Sequence, residues 1–178
     1  RLWAGSMSSD AKRPGSGALH RLDPDGTIST HLKGVTISNG IGWSPDSKSL
    51  YYVDSATRCI DVFDYDLNAG TLSSRRTLAE VKALPDGLAV DVEGGIWVAM
   101  WEGGEVIRFT PGGKVDRVIP LPGSLVATCT FGGEDLRTLF ISVSSLGLSE
   151  AAARKQTAGH IFAFDPGVQG LPTHEFRG

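Results

Sequence analysis

The sequence has no lysine- or arginine-rich run. Arg75-Arg76 and Arg154-Lys155 are isolated basic pairs, and the net charge is −3. A chain balanced in this way lacks the basic surface that nucleic acid or an anionic membrane needs, so neither is expected as a partner. No apolar stretch approaches the roughly 18 residues of a membrane-spanning helix. The only two cysteines, Cys59 and Cys129, lie far apart without metal-type spacing. They point to a thiol-tolerant cytoplasm and away from a disulfide framework, with any signal peptide expected upstream of Arg1. The four histidines, His20, His31, His160 and His174, show no paired ligand spacing and read as surface or packing residues. Without a phosphate loop, a Gly-x-Ser-x-Gly elbow or a Cys-x-x-Cys pair, the chain carries no signature of nucleotide hydrolysis, serine-esterase chemistry or thiol redox chemistry.

What the chain does have is a fourfold internal repeat. An aromatic-bearing unit reads Leu2-Trp3-Ala4, Leu50-Tyr51-Tyr52, Ile96-Trp97-Val98 and Leu139-Phe140-Ile141, at intervals of 48, 46 and 43 residues. A second apolar unit follows each copy: Leu19–Leu22, Ile60–Phe63, Val106–Phe109 and Ile161–Phe164. Turns rich in Asp, Pro and Gly come next, then a more polar segment at 27–32, 71–78, 114–119 and 172–176. A further unit precedes the aromatic one in three copies, at Asn39–Trp43, Asp86–Val90 and Ala127–Phe131. Four short strands per repeat, here termed A to D in chain order, predict the blades of an all-β propeller. With 23 glycines for the turns and 40 % hydrophobic residues for a core, composition agrees. The predicted division is 1–33 for strands B to D of one blade, then one blade each over 34–79, 80–120 and 121–178. About four blades of an incomplete propeller are thus expected, with further blades N-terminal to Arg1.

Propeller geometry tells where chemistry should lie. The innermost strand of each blade lines a central channel, so the A-strand entries Asn39, Asp86 and Ala127 become neighbours. Two of these three bring oxygen donors, which suit a divalent cation such as Ca²⁺, Mg²⁺, Mn²⁺ or Zn²⁺. Asn-Gly and Asp-Gly are also strong turn signals, and alone they would read as turns. Their shared position in the repeat, ahead of strands that alternate small and large residues, favours ligands. The long B-to-C loops, Met7–Gly17 and Ser144–Gly159, are predicted at the same face as lids, the second with a helical turn capped by Ser149. Asp54-Ser55 and Trp101-Glu102 fall on this rim. Asp54 and Glu102 read as solvated carboxylates; Trp101 reads equally as a packed aromatic or a sugar platform.

The segments Ile37-Ser38-Asn39-Gly40-Ile41-Gly42-Trp43, Tyr51-Tyr52-Val53-Asp54-Ser55, Phe63-Asp64-Tyr65-Asp66, Pro85-Asp86-Gly87 and Gly94-Gly95-Ile96-Trp97-Val98-Ala99 together resemble the SMP-30/gluconolactonase/regucalcin-like family. The resemblance runs through the whole chain. It implies a six-bladed propeller that hydrolyses sugar lactones with one divalent metal, held by an N-terminal Glu, the Asn of Ser-Asn-Gly and the Asp of Pro-Asp-Gly. The last two correspond to Asn39 and Asp86, and Asp86 is also the candidate proton acceptor. The family's Glu and its substrate-contacting Arg-x-Asn-Asp-Gly segment have no counterpart here, so the chain by itself is expected to be inactive. An acidic residue of the first lid loop lies near substrate in the family, and Asp10 falls at about that place. Two other functions compete: a metal-binding regulatory protein without hydrolase activity, and a propeller used as an interaction scaffold.

Overall fold

The computed structural model describes residues 1–9 and 13–176, and it is all-β except for one short helix and one 3₁₀ turn. Four antiparallel sheets follow one another along the chain. The first holds β1 (Leu2–Ser6), β2 (Gly17–Leu22) and β3 (Ile28–Val35). The second holds β4 (Ser38–Trp43), β5 (Ser49–Asp54), β6 (Cys59–Asp66) and β7 (Thr71–Glu80). The third holds β8 (Leu84–Val90), β9 (Ile96–Trp101), β10 (Glu105–Phe109) and β11 (Val115–Pro120). The fourth holds β12 (Val126–Gly132), β13 (Thr138–Val143) and β14 (Ile161–Phe164). Strands pair in sequence order within each sheet, the meander that short Gly/Asp/Pro turns enforce.

Burial across each sheet explains its composition. The second strands, β5 and β9, are buried over nearly their whole length, because sheets stack on both of their faces. Their side chains divide by the two-residue period. Leu50 and Tyr52 pack with Trp3, Leu19 and Val35 of the first sheet, whereas Tyr51 and Val53 pack with Leu88, Val90, Val98 and Met100 of the third. In β9, Ile96 and Val98 face the second sheet, while Trp97 and Ala99 face Val126, Cys129, Leu139 and Ile141 of the fourth. Three apolar interfaces thus join four sheets in series. The outermost strands β7 and β11 are largely exposed, and they carry the polar residues.

Two expectations at the chain's end meet different outcomes. Ser149 caps helix α1 (Glu150–Lys155) as anticipated, its hydroxyl accepting from the Ala152 N–H. The strand expected at 172–176 does not form, and the fourth sheet has three strands. After β14 the chain instead turns back beneath the third and fourth sheets. Gly170 pairs with Asp91, the Val92 N–H donates to the Gln169 carbonyl, and Val168 is buried in the interface between the sheets. Gly170 lies so close to Phe131 that a Cβ would stand 2.2 Å from that residue's Cβ. Pro172, which has no N–H to give a ladder, follows this anchor directly. Among the described residues no helix is long and apolar enough to cross a membrane.

Candidate metal centre

The site is built on an irregularity repeated in three inner strands. Between β4 and β5 the register shifts from Ser38↔Asp54 to Ile41↔Tyr52, between β8 and β9 from Pro85↔Met100 to Leu88↔Val98, and between β12 and β13 from Val126↔Val143 to Thr128↔Ser142. Each shift is a β-bulge, centred on Asn39-Gly40, Asp86-Gly87 and Ala127. The two Gly dipeptides are therefore not hairpin turns. They lie inside strands, where a bulge lifts a residue out of the ladder and re-aims its side chain.

Neighbouring bulges press against one another. A Cβ on Gly40 would stand 2.7 Å from the Asp86 carbonyl oxygen, and one on Gly87 would stand 2.1 Å from Thr128 Oγ1. Neither glycine has a positive φ, so what excludes a side chain is the close approach of the next inner strand. Asn39 and Asp86 are thereby brought side by side from adjacent sheets.

Asp54 and Ser55 organise this region, and the structure corrects the reading of Asp54 as solvated. It is only 4 % exposed. Its carboxylate accepts from Thr36 N (2.9 Å), Ile37 N (2.9 Å) and Ala56 N (3.3 Å), tying down the crossing from the first sheet to the second. A run of backbone donors can hold a buried carboxylate without a cation. Ser55, also 4 % exposed, receives Asn39 Nδ2 at 2.7 Å and donates to the Pro85 carbonyl at 2.6 Å. Asn39 Oδ1 keeps no hydrogen bond among the described residues.

Asp86 differs from the other shielded carboxylates. Asp61 pairs with Arg75 at 2.7 Å, and the fully buried Asp91 accepts from Glu93 N, Gly95 N, Trp97 Nε1 and Arg108 Nε, all within 3.0 Å. Asp86 has no ion-pair partner among the described residues. Burial pushes its carboxyl up to about 6, eased only in part by the Gly87 backbone N–H. Asp86 thus brings a half-buried carboxylate without counter-charge, and Asn39 an amide oxygen without a donor among the described residues, on strands that the Gly40 contact and Ser55 hold together. This chemistry fits a divalent ion, although among the described residues no cluster of three or more His, Cys, Asp and Glu side chains forms around one.

Other predicted positions are less engaged. Ala127 brings no donor atom. Glu102 is exposed with φ 66°, and Trp101 is half-buried, its backbone paired with Leu84 and bridged to Leu125. Asp10 lies outside the described residues. Cys129 is buried with its thiol pushed up to about 12, unsuited to nucleophilic work. Sequence reasoning placed Ser55 on the rim without a role and passed over Asp91, whose signal was an Asp opening the Asp91–Gly95 hairpin ahead of the Trp97 strand.

A family model described as SMP-30/Gluconolactonase/LRE-like region matches residues 1–145. Regucalcin of Danio rerio is 38 % identical over 185 residues, covering all of this chain and 63 % of that protein. A solved calcium-binding protein, regucalcin, from Agrobacterium tumefaciens aligns with a TM-score of 0.87 at 25 % identity, over 95 % of this chain and 58 % of its own. A gluconolactonase from Xanthomonas campestris aligns with a TM-score of 0.68 at 28 % identity, over 79 % and 49 % respectively. The chain spans less than two thirds of the length of the curated relatives it matches.

Proposed function

Since the chain belongs to the SMP-30/gluconolactonase/LRE-like family, we propose that the protein hydrolyses a sugar lactone with the help of one divalent cation held by Asn39 and Asp86. The four sheets are then blades of a six-bladed propeller, divided at 1–33, 34–79, 80–120 and 121–178, with their inner strands along its channel. What supports this reading is the uncompensated charge of Asp86 and the unshared Oδ1 of Asn39 on neighbouring strands that Ser55 joins.

Asp86 supplies negative charge and Asn39 a neutral oxygen, and water with residues beyond this pair completes the shell. A cation bound there, whether Ca²⁺, Mg²⁺, Mn²⁺ or Zn²⁺, would polarise the lactone carbonyl and make nearby water more acidic. Asp86 would take the proton from water as the water oxygen adds to the carbonyl carbon. It returns that proton to the ring oxygen as the acyl C–O bond breaks, so the same group serves as base and then acid. Two protein oxygens make a thin shell, and the dissociation constant expected for this chain is on the order of 10⁻⁴ M or weaker.

A second reading is a calcium-binding protein without turnover, favoured by the likeness to a protein so described from Agrobacterium tumefaciens. Titration with Ca²⁺, Mn²⁺ and Zn²⁺, together with a pH-monitored gluconolactone assay with and without chelator, separates the two. Chelator-sensitive hydrolysis that Asp86→Ala abolishes supports the lactonase. Binding without any hydrolysis by a protein of the relatives' full length that contains this chain supports the second reading, and neither binding nor hydrolysis would leave the interaction scaffold.

A further inference from the structure

Among the described residues, Ser55 is the one hydroxyl that touches both Asn39 and the strand of Asp86. It lies at the junction of β5 with the 3₁₀ turn (Ser55–Thr57). From there its Oγ meets Asn39 Nδ2 of β4 at 2.7 Å and the Pro85 carbonyl of β8, one residue before Asp86, at 2.6 Å. Its backbone N–H donates to the Ile37 carbonyl at 3.0 Å, and Asp54 beside it holds Thr36 and Ile37. The hydroxyl therefore sits on a fixed scaffold.

A serine hydroxyl has one proton. The Pro85 carbonyl can only accept, so that proton is committed to it, and Oγ can only accept from whatever else it meets. The facing group of Asn39 must therefore be its NH₂. That requirement turns Oδ1 away from Ser55. Without Ser55 the amide could rotate by half a turn about its last bond, offering NH₂ where an oxygen is wanted. No other sheet has an Asp-Ser pair at the end of its aromatic-bearing strand: β1 runs into Met7, β9 into Glu102 and β13 into Ser144.

We propose that Ser55 is a positioning residue that fixes the Asn39 amide with its oxygen toward the cation and ties the Asn39 and Asp86 strands into one ligand pair. This rests on the reading of Asn39 and Asp86 as cation ligands. Ser55 touches neither the cation nor the substrate, and its whole effect passes through Asn39 and the Pro85-Asp86 backbone. Residues that orient metal ligands in this way typically contribute about ten- to hundredfold in affinity.

The test is a titration of the full chain with Mn²⁺ alone, followed by water-proton relaxation, for the unaltered protein, Ser55→Ala, Asn39→Ala and the double variant. Ser55→Ala is expected to weaken binding about tenfold. The double variant is expected to lose less than the product of the two single losses, since no Asn39 amide remains for Ser55 to orient and only its hold on the Pro85-Asp86 backbone is left to remove. Parental affinity in Ser55→Ala, or losses that multiply in the double variant, would overturn the proposal. A second measurement needs no variant to fold: in the metal-free ¹⁵N-labelled chain, the Asn39 side-chain NH₂ is expected to exchange with water far more slowly than exposed amides. Exchange as fast as that of Asn68, in the exposed turn between β6 and β7, overturns the lock by itself. If the unaltered chain binds no Mn²⁺, the reading of the site fails, and the amide measurement alone decides the role of Ser55.

Discussion

Replacing Asp86 by Asn should make the metal-free protein more stable, although the same change should remove its cation binding. The carboxyl rises from 3.8 to about 6 because burial penalises its charged form, and the Gly87 backbone N–H offsets only part of the penalty. That difference corresponds to about 3 kcal/mol at 1.36 kcal/mol per pKa unit. Because the group is only half-buried and water screens it, about 1–2 kcal/mol is the realistic cost. The sign follows from proton binding. Between the unfolded value and about 6 the native state holds the proton more tightly than the unfolded chain, so stability falls as pH rises through this window and stays low above it. For a chain of this size each kcal/mol moves the Tm by roughly 2–4 °C. Thermal unfolding in excess chelator should therefore show Asp86→Asn about 2–8 °C above the parent at pH 7.5, with the gap closing near pH 4. Saturating Ca²⁺ or Mn²⁺ should raise only the parent. A variant less stable than the parent at pH 7.5 in chelator, or a gap unchanged by pH, would show that Asp86 has a structural partner and would refute the reasoning.

Asn39→Ala should reduce Mn²⁺ affinity by a smaller factor than Asp86→Ala, since it removes a neutral oxygen and not a charge, and relaxation titration of the two variants checks the order. Asp91→Ala should lower unfolding free energy by about 2–4 kcal/mol in urea, because it leaves the buried Trp97 Nε1–H and the Gly95 N–H without their acceptor and takes one of three carboxylates from Arg108. Gly87→Ala should cost about 1–3 kcal/mol and weaken cation binding together, since its Cβ would have to displace Thr128, backbone included. Denaturant curves and Mn²⁺ titration on that one variant read both effects.

Much of this was legible from residues alone, and the reason differs from case to case. The strands β5 and β9 could be read because both their faces are buried, which makes each an almost unbroken apolar run that recurs along the chain. Ser149 could be read because an N-cap is a local hydrogen bond. The bulges could not. Asn-Gly and Asp-Gly carry the same letters in a hairpin turn as in a bulge, and only the register against the second strand tells them apart. Asp54 was misjudged because its three partners are backbone N–H groups, two of them far away in sequence. The missing strand at 172–176 fails for a tertiary reason: Gly170 and Val168 are captured beneath the third and fourth sheets before a ladder can begin.

The bulges separate two demands that usually compete on a strand. A residue in register is constrained by the neighbours above and below it, so changing its chemistry means repacking an interface. At Asn39, Asp86 and Ala127 the chain has stepped out of that lattice, and the following residue, glycine in two of the three, absorbs the crowding. These positions work as sockets in which a side chain can be exchanged while the sheets stay as they are. Ala127 is a socket without a donor atom. An acidic residue placed there would add a third oxygen beside Asp86 without disturbing any apolar interface, which makes this the natural position for retuning the choice of cation by design.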